Sequence, residues 1–89
     1  MTETREVRLK RLHMRSMRRG IKEMDIILSR FAQERLHVLS TDQLDTYEAL
    51  LNENDQDLYQ WVTGQVAAPE AFLGLINDIA SLVDAKGQT

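Results

Sequence analysis

The 89-residue sequence has no cysteine and one proline, and aromatic residues make up only 6% of it. The absence of cysteine excludes a disulfide framework, a thiol nucleophile and a cysteine zinc site, and it fits a reducing compartment. No apolar run approaches the roughly 18 residues that a membrane-spanning helix needs. The N-terminus has neither the apolar stretch of a secretory signal nor the acid-poor composition of a transit peptide. We therefore expect a cytoplasmic protein that does not insert into a membrane.

Motifs for catalysis, metal binding and nucleotide binding are also missing from the sequence. No serine lies in a nucleophile elbow, and the two histidines, His13 and His37, are far apart in sequence. Residues 55–57 resemble the start of a calcium loop, but Gln60 and Val66 stand where such a loop needs glycine and glutamate. The glycines are isolated, so no phosphate loop or dinucleotide fingerprint can be drawn. We expect neither an enzyme nor a protein with its own FAD or metal.

Charge is distributed very unevenly along the chain. Residues 1–20 carry seven basic and two acidic side chains, whereas the remainder carries four basic and twelve acidic ones. Such a split is typical of a polar interaction surface. The basic residues Arg8, Arg11, Arg15 and Arg18 recur at three- and four-residue spacing, which predicts a solvated stripe on a helix. The scarcity of aromatics, the net charge of −3 and the lack of a nucleic-acid-reading motif favour an acidic protein partner over nucleic acid.

Helical periodicity extends through nearly the whole chain, and signals of β-strands are almost absent. Helix-capping signals divide the chain into five predicted helices: one over about residues 3–19, one over about 22–36, one from a capping box at Ser40 and Gln43, one between Asn54 or Asp55 and Gly64, and one from Pro69 to just before Gly87.

Apolar residues at helical spacing form one face on each predicted helix. The residues predicted to face the core are Leu9, Leu12 and Ser16, then Met24, Ile27, Leu28 and Phe31, then Leu44, Tyr47 and Leu51, then Leu58, Trp61 and Val62, and finally Phe72, Leu75, Ile76, Ile79, Leu82 and Val83. Met14, Met17 and Met24 are expected to fill gaps in this core. The prediction is an all-α, compact five-helix bundle, with residues 1–89 as a single domain and short flexible ends at about residues 1–4 and 86–89.

Charges of both signs surround Gly20 at the junction of the first two predicted helices. Arg19, Gly20 and Glu23 lie within four positions and are predicted to share one exposed corner. A glycine there lets the backbone of another protein approach closely, and charged neighbours fix its register through hydrogen bonds. A helix-breaking glycine among local ion pairs explains the same pattern, and the residues alone do not separate these two interpretations.

Two ordered blocks of the sequence resemble the family of succinate dehydrogenase FAD-assembly (flavinylation) factors. Residues 19–25, Arg-Gly-Ile-Lys-Glu-Met-Asp, match the family's hallmark R-G-x-x-E with an aspartate two residues later. Residues 11–16 resemble the family's first helix, and residues 50–61 are similar to its second block, L-L-E-x-x-D-x-D-L-x-x-W. The resemblance extends over about residues 8–85.

The resemblance implies a small bacterial chaperone of five helices, monomeric when free. Such proteins bind the flavoprotein subunit of succinate dehydrogenase, and in some bacteria fumarate reductase, and promote covalent attachment of FAD to a histidine of that subunit. The family has no cofactor of its own and holds its partner in a reactive geometry. Carried onto this sequence, the partner-binding residues are Arg15, Arg18, Arg19, Gly20, Glu23 and Asp25. A regulatory module that binds nucleic acid through the basic helix and an antitoxin-like protein are the alternatives.

Overall fold

A computed structural model describes residues 3–87 of the chain and the side chains of residues 3–83. The described residues contain no β-strand, which confirms the prediction of an all-α bundle. Their helices are α1 (Arg5–Ser16), α2 (Lys22–Arg35), a 3-10 helix (Leu36–Val38), α3 (Thr41–Leu51), α4 (Asp55–Thr63) and α5 (Glu70–Gly87). Helix α2 lies centrally, in contact with α1, α4 and α5, and α3 packs against α1 and α5.

The helix ends follow the local capping signals closely. Ser40 and Gln43 form the predicted capping box at the start of α3. Asn54, one of the two candidates, caps α4 by accepting a hydrogen bond from the backbone N–H of Gln56 at 2.8 Å. Gly64 ends α4 in the left-handed conformation, with φ of 83°, which a glycine adopts without steric cost.

Several predicted helix boundaries differ from the observed ones. Helix α1 ends at Ser16 instead of Arg19, because the chain from Met17 onward leaves the helix to reach another part of the bundle. Helix α5 begins at Glu70, one residue after Pro69, whose carbonyl accepts a hydrogen bond from the N–H of Phe72 at 2.9 Å.

One hydrophobic core connects all the helices. Its buried residues are Leu12, Met24, Leu28, Phe31, Ala32, Leu36, Leu39, Leu44, Tyr47, Leu50, Leu51, Leu58, Val62, Leu75, Ile76 and Ile79. Six further residues predicted for the core are partly buried and pack against it: Leu9, Ile27, Trp61, Phe72, Leu82 and Val83. The buried hydroxyl of Ser16 lies 2.6 Å from that of Tyr47, so the small polar residue on the apolar face of α1 has a hydrogen-bond partner.

Two of the three methionines predicted to fill gaps in the core do not do so. Met24 is fully buried, but Met14 and Met17 are 50% and 49% exposed. Met14 lies on α1 two residues after the buried Leu12, and Met17 lies just beyond the end of this helix. The side chains of both are directed toward solvent. The prediction is therefore correct for Met24 and wrong for Met14 and Met17.

Two arginines of the basic stripe on α1 form ion pairs with acidic side chains of the same chain. Arg8 donates hydrogen bonds to Asp45 at 2.6 Å and to Glu48 at 3.1 Å, and its side chain is only 19% exposed. Arg11 binds Glu48 and Glu3, each at 2.8 Å. The prediction of a solvated stripe is wrong for Arg8, because α3 packs beside α1 and presents its acids to it. Arg11 is paired as well, but its side chain is still 37% exposed.

The predicted flexible ends, about residues 1–4 and 86–89, lie partly outside the described residues. Within them, the Thr4 hydroxyl accepts a hydrogen bond from the N–H of Val7 and so caps α1. Among the helices of the described region, none is both long enough and apolar enough to cross a membrane.

Candidate functional site

The loop of residues 17–21 between α1 and α2 lies against the connection between α3 and α4. Arg19 makes this contact through all three nitrogens of its guanidinium group. Its Nε donates to Asp55 at 2.6 Å, and its terminal nitrogens donate to the carbonyls of Leu51 at 2.7 Å and Glu53 at 3.0 Å. Because the last carbonyls of a helix have no partner within it, Arg19 satisfies acceptors at the end of α3.

Asp55 completes the contact from the other side. One of its carboxylate oxygens accepts from Arg19, and the other accepts from the backbone N–H groups of Gly20 at 2.6 Å and Ile21 at 3.3 Å. Ile21 stands at the N-cap position of α2 and offers no capping side chain. The carboxylate of Asp55 therefore supplies negative charge and hydrogen-bond acceptors close to the start of α2. We call the set of contacts between Arg19, Gly20, Ile21 and Asp55 the Asp55 clamp.

The Asp55 clamp changes the interpretation of Arg19. The sequence predicted an exposed corner shared by Arg19, Gly20 and Glu23, and in the structure Gly20 and Glu23 are exposed. The side chain of Arg19 is only 11% exposed, and that of Asp55 only 15%. The prediction of exposure is wrong for Arg19, because an aspartate 36 positions away in the chain binds its guanidinium.

Gly20 has a close neighbour inside the molecule as well as an exposed face. A Cβ atom at this position would lie 3.2 Å from Oδ2 of Asp55, which is closer than an ordinary van der Waals contact. Positive φ is not the reason for this glycine, since Gly64 is the glycine with positive φ in the described chain. A side chain at position 20 would require the carboxylate of Asp55 to shift slightly, although Arg19 and two backbone N–H groups hold that carboxylate.

The remaining predicted site residues fall around the Asp55 clamp on different faces. Arg15 and Arg18 line a shallow hollow of about 410 Å³ together with Met14, and Arg15 donates a hydrogen bond to Asn52 at 2.7 Å. Glu23 lies on the first turn of α2 and lines a separate groove. Asp25, half-buried on the same turn, lines a third, smaller hollow.

Two features of the site were missed by reasoning from the sequence. The sequence predicts Asp55 only as a candidate helix cap, whereas its carboxylate joins two loops. The sequence predicts Met14 and Met17 for the core, whereas both are about half-exposed beside the arginines of the surface. The useful signal for Asp55 was its place in the second sequence block, because that block and residues 19–25 meet in space.

The two histidines lie apart from the predicted site residues, since their hollow is lined by none of them. His13 and His37, distant in sequence, line the same hollow, with Lys10 as the only charged lining residue in the described part of the chain. No group of three or more potential metal ligands occurs among the described residues. The structure brings arginines, methionines and single carboxylates to the surface, an arrangement suited to binding another protein.

A model of the family Sdh5, described as flavinator of succinate dehydrogenase, matches residues 10–83. The chain belongs to this family. The matched range contains residues 19–25 and 50–61, so the two blocks that meet at the Asp55 clamp both lie within the region common to the family. The resemblance inferred from the sequence is thereby confirmed.

Curated relatives carry the name succinate dehydrogenase assembly factor 2, mitochondrial. The protein from Meyerozyma guilliermondii is 52% identical over 61 residues, which cover 68% of this chain and 45% of that protein. The protein from Schizosaccharomyces japonicus is 40% identical over 86 residues, which cover 94% of this chain and 60% of that protein. The Danio rerio protein is 39% identical over 79 residues, covering 86% and 50% of the two chains. This chain thus spans about half the length of these relatives.

Proposed function

We propose that this protein binds the flavoprotein subunit of succinate dehydrogenase and promotes covalent attachment of FAD to that subunit. The observation that supports this most strongly is the family match over residues 10–83. The geometry agrees with a binding role, since the two family blocks build one ordered surface around the Asp55 clamp. Fumarate reductase, whose flavoprotein the resemblance also implies as a partner, is a second protein to test.

We assign direct contact with the flavoprotein to the exposed members of the predicted site. Arg18, Gly20 and Glu23 are exposed, and Arg18 lies beside Met14 and Met17, which are half-exposed. Methionine and arginine are both enriched in protein interfaces. Their position beside a fixed loop supports this assignment.

Three further residues act at the edge of this surface. Arg15, anchored to Asn52 at 2.7 Å, and Asp25 are half-buried and contribute at its border. Arg19 belongs to the same functional set but acts through Asp55, because its nitrogens already have partners within the chain. It orders the loop that presents Gly20.

We infer a chaperone without a cofactor and without catalysis of its own. The flavoprotein and its FAD supply the reacting atoms, and this chain stabilises the arrangement in which they meet. A partner that binds one conformation better than another shifts the population toward it by its differential affinity. Rate enhancement then depends on binding energy, and no proton or electron has to pass through this protein.

The ionic contact between α1 and α3 supports a protein partner over nucleic acid. Arg8 and Arg11, which the nucleic-acid alternative requires, already bind Asp45 and Glu48. Phosphate binding depends on free lysine and arginine side chains. Pull-down from the native cell separates this alternative and the antitoxin-like one from a flavoprotein partner.

We further propose a monomer in a bacterial cytoplasm, although the three relatives are named as mitochondrial proteins. Sedimentation of the purified protein tests the first statement. Fractionation of the native cell tests the second.

The deciding experiment measures covalent flavin on the succinate dehydrogenase flavoprotein in cells with and without this protein. In-gel flavin fluorescence should fall strongly in its absence and return when the gene is restored. Equal fluorescence in both strains, at equal amounts of flavoprotein, would overturn the proposed function.

A further inference from the structure

A groove lined mainly by apolar and aromatic side chains runs between α2, α4 and α5. Its volume is about 690 Å³. Ile26, on its α2 side, is 57% exposed, and Tyr59 and Trp61, on its α4 side, are partly buried against the core. Pockets of roughly 300–1,000 Å³ accommodate drug-sized ligands, so the groove has room for a few side chains of a partner.

The walls of the groove are held in place by the core. The ring of Trp61 packs against that of Phe72 with centroids 6.0 Å apart. Ile76, at the floor, is buried, and Gly64 fixes the end of α4 through its left-handed conformation. A surface with ordered side chains loses little conformational entropy when a partner binds.

The charge at the groove favours a partner segment that carries a positive charge. Among the described residues that line it, Glu23 alone carries a charge. Glu23 is exposed, and within residues 3–83 it forms no ion pair. The carboxylate can pair with a cation of the partner, and the exposed apolar wall beside it can contact a neighbouring apolar side chain.

We propose that this groove binds a segment of the flavoprotein in which an apolar side chain lies next to a lysine or arginine. The apolar side chain packs between Ile26 and Trp61, and the cation pairs with Glu23. The identity of the partner rests on the proposed function. Arg15 and Arg18 line a separate hollow and complement acidic groups, so opposite charges at the two places set the orientation of the partner.

Substitutions of exposed residues test the groove without disturbing the core. Binding of Ile26→Asp and Glu23→Gln to the purified flavoprotein subunit is measured by biolayer interferometry. Each should bind about tenfold more weakly or worse, as expected when an anchor or one member of an interfacial charge pair is lost. Leu73→Asp is the matched control, because Leu73 is 45% exposed on α5 and does not line the groove. Ile26→Ser provides a milder second variant if Ile26→Asp fails to fold.

The single tryptophan reports directly on the occupant of the groove. Trp61 is the only tryptophan in the chain, so its fluorescence is unambiguous. An acetylated leucine peptide that contains one arginine should change the emission of Trp61 in the wild type and leave it unchanged in Ile26→Asp. The same peptide with glutamate in place of arginine should have a much smaller effect. An equal response to both peptides would overturn the role of Glu23.

The outcomes separate this inference from the proposed function. A wild-type protein that neither binds nor flavinylates the flavoprotein contradicts the proposed function itself. A wild type that does both, with Ile26→Asp and Ile26→Ser binding as tightly as Leu73→Asp, overturns the groove inference alone. Self-association in sedimentation that Ile26→Asp abolishes would assign the groove to a second copy of this chain and would overturn the flavoprotein assignment.

Discussion

A single carboxylate, that of Asp55, explains several features of the motif around Gly20. It accepts from the guanidinium of Arg19 and from the N–H groups of Gly20 and Ile21. The arginine of the motif is therefore bound within the chain, and the glycine leaves room for the carboxylate. Of the three signature positions Arg19, Gly20 and Glu23, the last is the one whose side chain is exposed and without an ion pair in the described residues.

Asp55→Asn is expected to destabilise the protein, because it leaves the nearly buried charge of Arg19 without its counter-ion. Hydrogen bonds to charged groups contribute about 1.5–3 kcal/mol, and we expect a loss of unfolding free energy in that range. Urea denaturation measures this loss. Asp57→Asn is the matched control, since Asp57 is exposed on the first turn of the same helix. An Asp55→Asn protein as stable as the control would mean that the clamp contributes nothing.

Gly20→Ala and Gly20→Arg separate the effect of this glycine on stability, through its contact with Asp55, from its effect on flavoprotein binding at the surface. Both substitutions add the same Cβ atom 3.2 Å from Asp55, so both should lose a similar free energy of unfolding, about 1 kcal/mol. The long side chain of Gly20→Arg extends from an exposed position and should weaken flavoprotein binding much more than Gly20→Ala does. Unfolding midpoints and pull-downs on the same samples test this. Equal binding by the two variants would make the glycine purely structural.

At the scale of the helices, signals confined to a few neighbouring residues predicted the structure well. The capping box of Ser40 and Gln43 and the glycine stop at Gly64 involve contacts within one turn, so the sequence contains all the information they need. The partners of Arg8 and Arg19 lie more than 30 positions away. The pattern within one helix predicts that such arginines face solvent, because nothing in it indicates which neighbouring helix brings an acid.

The exposed methionines illustrate the same limit. Helical spacing places Met14 and Met17 next to the apolar face of α1, but the width of the buried face depends on how closely α2 and α3 approach. Both remain about half-exposed. The sequence thus predicted the fold and most of the core of α2 to α5. Which residues around Gly20 are internal and which are exposed depends instead on the packing of the helices, and the partner-binding role of these residues stays a prediction.

The ionic contact between α1 and α3 makes stability depend on acid pH. Hydrogen bonding to Arg11, together with the nearby charges, holds the pKa of Glu48 below its ordinary value. A carboxyl whose pKa is lower in the folded state than its unfolded value of about 4.3 stabilises the protein above that pH. This contribution is lost as the pH falls through the folded pKa.

Glu48→Gln should therefore be less stable than the wild type at pH 7 and should lose less stability between about pH 5 and pH 3. Urea denaturation at several pH values measures both effects. Glu34→Gln is the control, since Glu34 is exposed on α2 and takes part in no ion pair of the described residues. Parallel pH profiles for Glu48→Gln and the wild type would contradict this account.

At the scale of the whole molecule, the charge asymmetry of the sequence has two consequences. Two arginines of the basic N-terminal segment, Arg8 and Arg11, pair with acids of α3 and so join α1 to α3. Near the Asp55 clamp, the exposed side chains of Arg18 and Glu23 form no ion pair within residues 3–83, so this part of the surface carries charges of both signs. Such a surface suits a specific protein partner better than a uniform polyanion, because it fixes orientation as well as proximity.

Arg18→Ala and Glu23→Ala are expected to reduce covalent flavinylation without unfolding this protein, because both side chains are exposed. Loss of one member of a desolvated interfacial charge pair costs about 2–5 kcal/mol of binding, which weakens a complex by a factor of tens to thousands. Arg19→Ala should differ by also lowering the unfolding midpoint, since it removes hydrogen bonds to Asp55, Leu51 and Glu53. Lys10→Ala, an exposed basic residue of α1 away from the site, is the control.

The dependence on expression level distinguishes binding from chemistry in these variants. Mass action compensates for weak binding, so flavinylation by Arg18→Ala and Glu23→Ala should recover as the variant is overexpressed. A lost catalytic group is not compensated in this way. In-gel flavin fluorescence across a series of expression levels gives the measurement, with immunoblots of both proteins for normalisation. If Glu23→Ala binds the flavoprotein normally yet fails to support flavinylation at every level, Glu23 takes part in the reaction itself, and the view of this protein as a chaperone without chemistry is wrong.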